Sequence, residues 1–372
     1  MHQRINPSTD TTRMLWAHSA GHCEICGTSL FLGSAANTVG NYSNQAHIIA
    51  YSEGGPRGNS PSRDDANINS VENLMMLCGK CHTEIDANPD LFTDNMLRHI
   101  KMVKEYAIEG LASQRTIKEV EVIRCCVPIA GNDVEITTNE IFESLLADNK
   151  MFSGVRPWDF GKGIESGDSF ERASERLEMN ADRYHLTEIN NEVPYAVFAF
   201  GPQPILIKLG TILGDKHQSS IYQRQRGSSN WIWKQDSPKA NFFLTKENLC
   251  EAETATEALL IVQASGIVSY ESLGLEPVLA ELPRFLITAD SPNVYVADNH
   301  ETQSRFREIT LAAISDIHSS CPNVSTVRVF PAMPVSLNVV FGSCFNFNLI
   351  SNMVVYEKSD GRFAPALTIG AK

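Results

Sequence analysis

Cys23-Glu24-Ile25-Cys26 and Cys78-Gly79-Lys80-Cys81-His82 bracket a stretch that also carries His47 and Asn73, and this bracket decides how the first part of the chain folds. Two cysteines at this spacing sit on one tight turn and offer two sulfurs to one ion. Two such knuckles complete the tetrahedral four-thiolate site that zinc occupies in structural centres. Cys23, Cys26, Cys78 and Cys81 are therefore expected to hold structural zinc and to staple a small hairpin-plus-helix unit.

Working outward, Thr11 to Ala20 reads as a short helix ended by Gly21, and Val39 to Ala50 as strand around His47. Residues 52–70, rich in Gly, Pro, Ser, Asn and Asp, read as a long loop. Asn73 to Leu77 returns toward the second knuckle, and His82 opens a helix. Residues 93–113 form a longer amphipathic helix with Leu97, Ile100, Val103, Tyr106, Ala107 and Leu111 on one face. Its expected job is to connect to the C-terminal part of the chain or to pair with its copy in a dimer.

A bare zinc ribbon has no need of two histidines and an asparagine at these places, whereas phosphodiester hydrolysis does. Water must lose a proton near neutral pH, and a neutral imidazole such as His47 takes it. A divalent cation must stabilise charge on the phosphate and the leaving oxygen. His82, held at a helix start beside Cys81, suits that ion, with magnesium the expected metal. Asn73 either holds the loop that carries His47 or gives the ion its carbonyl oxygen. Asp86 follows His82 by one helical turn and is a candidate further ligand. Taken alone, paired knuckles also fit a purely structural zinc site; His18, His22 and His99 read as surface or packing residues.

At 372 residues the chain is long enough for two domains, 1–115 and 116–372. Its formal net charge of −13 argues against a protein that coats nucleic acid by general electrostatics. Residues 1–110 share that balance, with eight Lys or Arg against twelve Asp or Glu. A lone copy would bind DNA poorly, so activity is expected to be conditional on metal ions or on assembly. Nine cysteines, five of them outside the knuckles in apolar or mixed surroundings, suit a reducing cytoplasm. The opening Met1-His2-Gln3-Arg4 lacks an apolar signal core, and no apolar run is long enough to span a bilayer.

From Ile117 onward the pattern changes. Apolar strands at 195–200, 257–263, 293–297, 324–330 and 352–356 alternate with helices at 138–149, 301–318 and 336–344, which implies an α/β domain of two similar halves. Between residues 216 and 246 stand six Lys or Arg and one acidic residue, interleaved with aromatic rings. Lys216, His217, Tyr222, Arg224, Arg226, Trp231 and Trp233 together suit a bound nucleotide, with cations for phosphates and rings for bases. Arg156 and the helix-opening run around Pro331 and Ala332 are candidates to join them. Singly, each Trp has the alternative of packing one sheet face, and each cation that of solvated surface. No Walker-type loop and no Gly-x-Gly-x-x-Gly follows a strand, which argues against an ATPase or a dinucleotide redox enzyme.

Residues 13–90 resemble an HNH (ββα-metal) endonuclease of the type with a structural zinc. Where many of those enzymes have an acidic ligand before the base histidine, this chain has Ala46. The resemblance thus leaves the ion to His82, Asn73 and Asp86, or to His47 itself. From about residue 150 the chain resembles a SAVED domain, a relative of the CARF sensors with two Rossmann-like halves. The stretches that carry this are Lys216 to Trp233, Leu259 to Gly266 and Val329 to Pro334. The order HNH then SAVED is similar to the HNH–SAVED effectors of CBASS anti-phage systems. That resemblance implies activation by a cyclic dinucleotide, such as cyclic GMP–AMP, made by a cognate cyclase. It also implies assembly into dimers or tetramers, and cleavage of double-stranded DNA. Two rival readings stay open: a restriction-type endonuclease whose C-terminal domain reads modified DNA, and a non-catalytic zinc-binding adaptor.

Overall fold

The structure, a computed structural model, describes residues 6–32, 38–112, 117–129, 134–152, 157–184, 193–215, 219–227, 230–274 and 277–370. The chain divides into two compact units, Met1–Lys118 with Asp148–Met151, and Glu119–Ala147 with Phe152–Lys372.

In the first unit, helix α1 (Thr9–His18) starts two residues earlier than the sequence reading, because Ser8 caps it by accepting from Thr11 N–H. Strand β1 (Ser43–His47) pairs antiparallel with β2 (Leu74–Cys78), placing His47 opposite Leu74 and Ser43 opposite Cys78. Helix α2 (Gly79–Ala87) follows at once, capped by the sulfur of Cys78. The long α3 (Asp94–Ala112) buries Leu97 and His99. A core of Leu15, Leu30, Ile48, Ile49, Met75, Met76, Ile85 and Leu97 fills the space between these elements. β2 is apolar along most of its length because both its faces are covered.

In the second unit, among the described residues, strands Lys118–Cys126, Tyr195–Phe200 and Ser219–Tyr222 run parallel, with Trp158–Asp159 parallel to the first. A six-stranded sheet has the order Arg362–Gly370, Asn352–Ser359, Thr326–Ala332, Glu257–Gln263, Arg284–Ala289, Phe242–Glu247. Its four central strands are parallel and its two edges antiparallel. This is the α/β class expected. The expected strand at 293–297 is instead a turn segment; the neighbouring Arg284–Ala289 takes the sheet position because it pairs on both sides.

Two strand-to-helix passages match each other. Tyr195–Phe200 leads through Pro202 into helix Gln203–Leu213, and Thr326–Ala332 through Pro334 into helix Val335–Cys344. Gly210 and Gly342 occupy the same place in each helix and meet at their crossing. A Cβ on Gly342 would lie 2.0 Å from the Ile207 carbonyl oxygen, and one on Gly210 2.2 Å from that of Val339. Only glycine permits so close an approach.

Candidate active site and ligand cleft

The four cysteines come together as the spacing requires. Gly27, at φ +74°, turns the first knuckle so that its N–H reaches the Cys23 carbonyl at 2.9 Å. In the second, Cys81 N–H donates to the Cys78 sulfur at 3.5 Å. All four Sγ atoms lie within 4.8 Å of one another, and those of Cys26 and Cys78 are 3.8 Å apart. Tetrahedral zinc with bonds of about 2.3 Å separates its sulfurs by about 3.8 Å, so the donor set fits that ion. Burial pushes the Cys23 and Cys81 thiols up, and in Cys81 hydrogen bonds with Cys26 and Cys78 add to it. Zinc binding would displace the protons from these thiols. Buried Glu24 accepts from Met76 N–H and faces Lys101 of α3 at 3.7 Å, which ties the knuckle to that helix.

His47 ends β1, and His82 and Asp86 lie one turn apart on α2. These three, with Ala50, Tyr51, Ser52, Gly55 and Pro56, line one cleft of about 660 Å³. His82 Nε2 and Asp86 Oδ2 are 3.3 Å apart, both partly exposed. Such an imidazole and carboxylate can share one cation. His47 is only 8% exposed, and its Nε2 lies 2.9 Å from Asn69 Oδ1. The Tyr51 ring meets it edge-on, centroids 6.1 Å apart.

Asn73 corrects one expectation. Its Oδ1 accepts from Ile49 N–H at 3.0 Å, and its Nδ2 donates to the carbonyls of Ile49 and Ile68, both at 2.9 Å. Arg98 approaches the same oxygen at 3.4 Å, and the residue is 5% exposed. Of the two jobs the sequence left open, the geometry matches holding the loop. An oxygen already filled by two donors is not placed to ligate the ion, and Asn73 does not line the cleft.

Sequence reasoning missed two residues here. Asn69 is one, an asparagine in a loop full of polar residues. Arg57 is the other: its side chain is 4% exposed and donates to the carbonyls of Ile48 and Ile85 and to Asp86 Oδ1. It thereby joins the residue after His47 to the helix that carries His82. Arg57 adopts a left-handed φ of +58°, a strain that non-glycine residues carry when the surroundings impose it.

In the second unit a cleft of about 590 Å³ opens where the two matching helices begin. It is lined by Gly201, Gln203, Gln223, Arg224, Gln225, Arg226, Ser265, Met333, Pro334, Val335 and Asn338, among others. Two arginines and two helix N-termini at one cleft favour an anion. Arg224 also stands over the Phe200 ring, 5.1 Å from its centroid.

The remaining sequence candidates divide. Lys216, His217 and Arg156 lie outside the described residues. Tyr222 and Trp231 are corrections: both are 0% exposed and packed in a core with Phe198, so they offer no face to a base. Trp233 stacks on Tyr222 and meets His300 edge-on, and it does not line the cleft. Pro331 and Ala332 lie on the strand rather than at the helix start; the cleft is lined by the next three residues, Met333, Pro334 and Val335.

Residues 177–369, more than half of the chain, match the family described as the SMODS-associated and fused to various effectors sensor domain, SAVED. Residues 23–88 match an HNH endonuclease family. No curated protein matches. Among solved structures, the Acinetobacter baumannii Cap4 SAVED/CARF-domain containing receptor with the cyclic trinucleotide 2'3'3'-cAAA is 14% identical. Its TM-score is 0.44, with 78% of this chain and 62% of that one covered. The same receptor with 3'3'3'-cAAA is 17% identical, with TM-score 0.44 and the same 78% and 62% coverage. The Moraxella osloensis Cap4 receptor is 15% identical, with TM-score 0.41 and coverage of 78% and 60%. The chain thus spans about three fifths of those structures' length, 60–62%. Among the described residues no helix is long and apolar enough to cross a membrane.

Proposed function

Because the chain belongs to the SAVED family and carries an HNH endonuclease domain before it, we propose that it is a DNA endonuclease switched on by a cyclic oligonucleotide. The observation that carries this reading is the presence, in one chain, of two chemically different clefts. One holds His47, His82 and Asp86 beside a four-thiolate site; the other holds Arg224 and Arg226 between two helix N-termini.

In the first cleft His47 accepts the proton of the attacking water. His82 and Asp86 hold a divalent cation, magnesium in this reading, which supplies charge stabilisation to the phosphate and leaving oxygen. Arg57 keeps Asp86 in place through its guanidinium, and Asn73 keeps the chain after His47 in place through Ile49. The knuckles hold zinc, which fixes where α2 starts and therefore where His82 stands.

In the second cleft Arg224 and Arg226 meet the phosphates of the ligand, a cyclic dinucleotide such as cyclic GMP–AMP. Binding there drives dimers or tetramers to form, because a ligand shifts an equilibrium by its differential affinity for the two states. Assembly answers the charge problem of the nuclease end. Eight basic residues against twelve acidic ones in residues 1–110 make each copy a poor DNA binder. Several copies add their modest contacts through effective concentration, and two active sites reach both strands. The biological setting that fits is CBASS anti-phage defence in the cytoplasm, with a cognate cyclase supplying the messenger.

The test is plasmid cleavage by the purified chain with magnesium and a panel of cyclic di- and trinucleotides. Cutting in some wells and none without nucleotide is expected. Equal cutting in every well, nucleotide or not, rejects the switch.

A further inference from the structure

Nothing in the HNH pattern assigns a role to Asn69, yet it touches the ring on which the proposed chemistry depends. Its Oδ1 lies 2.9 Å from His47 Nε2. A carboxamide oxygen only accepts, so this bond puts the ring proton on Nε2 and the lone pair of the neutral imidazole on Nδ1. We propose that Asn69 is a positioning residue that holds His47 as the Nε2–H tautomer, leaving Nδ1 to take the proton of the attacking water. The proposal rests on the reading of His47 as general base.

Three features of the surroundings support it. The backbone that carries Asn69 is pinned on both sides: Asn73 Nδ2 donates to the Ile68 carbonyl at 2.9 Å, and Ser70 N–H to that of Asn67 at 2.9 Å. The bond is part-buried, so water competes for it less than at an open surface. The Tyr51 ring restricts His47 from another side, edge-on at 6.1 Å. A neutral amide also fixes a tautomer without the added charge by which a carboxylate would raise the basicity of the ring and keep it protonated. Asn69 and Asn73 thus divide the work, one orienting the imidazole and the other holding the chain on its C-terminal side.

The test uses the full chain labelled with 15N-histidine, the His47 signals being those lost in His47→Ala. Long-range 1H–15N spectra are expected to show His47 as the Nε2–H tautomer in the wild type, and in Asn69→Asp, which keeps an acceptor oxygen, at a pH high enough to neutralise the ring. Asn69→Leu, of similar size but without an acceptor, is expected to show mixed tautomers. With magnesium and whichever panel nucleotide activates the wild type, Asn69→Leu should lower kcat for plasmid cleavage about 10- to 100-fold at unchanged KM. Asn69→Asp keeps an acceptor but adds charge, so its pH–rate profile is expected to move to higher pH than that of the wild type. An Nδ1–H tautomer in the wild type, or a wild-type kcat in Asn69→Leu, overturns the proposal. If no nucleotide activates cleavage the switch fails instead, and the spectra still judge Asn69.

Discussion

The two units build their sites in opposite ways. In the first, a few residues at short spacing bring the chemistry together: two knuckles pin the ends of β2 and α2, and His47, His82 and Asp86 follow from the ββα path. In the second, the cleft arises where helices from two distant strand ends begin side by side, and its lining comes from residues as far apart as Gly201 and Asn338. A site made by local spacing tolerates a small core if an ion held by the four cysteines staples it. A site made by long-range topology needs the whole sheet-and-helix core beneath it.

Removing zinc is the strongest way to separate the two. Structural zinc contributes about 10 kcal/mol or more to units of this kind. Stripping it with a chelator, or replacing Cys81 by Ser, is expected to abolish the unfolding transition of the nuclease unit in calorimetry. The transition of the larger unit should stay where it was. A joint loss of both would mean the units do not fold independently.

The reciprocal experiment is Gly342→Ala. Its new Cβ would meet the Ile207 carbonyl at 2.0 Å, so the two helices must part. The larger unit should lose about 3 kcal/mol, read from its denaturant midpoint, with the zinc unit unchanged.

Sequence legibility follows the same contrast. The knuckles, His47, His82 and Asp86 were readable because their geometry is fixed by neighbours a turn or a hairpin away. Arg57 was not, since its role comes from a loop folding back onto α2, and no spacing rule announces that. Asn69 was hidden for the same reason. In the larger unit, composition pointed to a stretch of which Gln223 to Arg226 line a cleft, but it could not tell which ring faces inward. Tyr222 and Trp231 lie in the core because they pack on Phe198, a fact of strand order rather than of local sequence. The segment at 293–297 alternates like a strand, yet Arg284–Ala289 is the one that finds partners on both edges.

A smaller effect sharpens the ligand side. Replacing Arg224 and Arg226 together by Ala should weaken binding of a cyclic dinucleotide about 10- to 100-fold in titration calorimetry. The zinc content and both unfolding transitions should be untouched. Unchanged affinity would take the cleft out of the reading.

The smallest effect concerns pH and the first unit alone. Burial holds the His99 imidazole down at about 4 from its ordinary 6.5. Between those values the unfolded chain binds the proton and the folded chain does not, so stability is complete above about 6.5 and falls as pH drops. From pH 7.5 to 5 this costs on the order of 1–2 kcal/mol. His99→Leu should remove that part of the acid sensitivity, measured as the difference in denaturant midpoint between the two pH values. An equal pH dependence in both proteins would assign it elsewhere.

The most direct measurement is single-turnover plasmid cleavage by His47→Ala beside the wild type, with magnesium and the activating nucleotide. Zinc content and nucleotide affinity are checked on the same samples. The expected result is a protein that keeps its zinc and its ligand and cuts at least about 100-fold more slowly. A His47→Ala protein cutting at the wild-type rate would contradict the claim that this zinc-held imidazole activates the water.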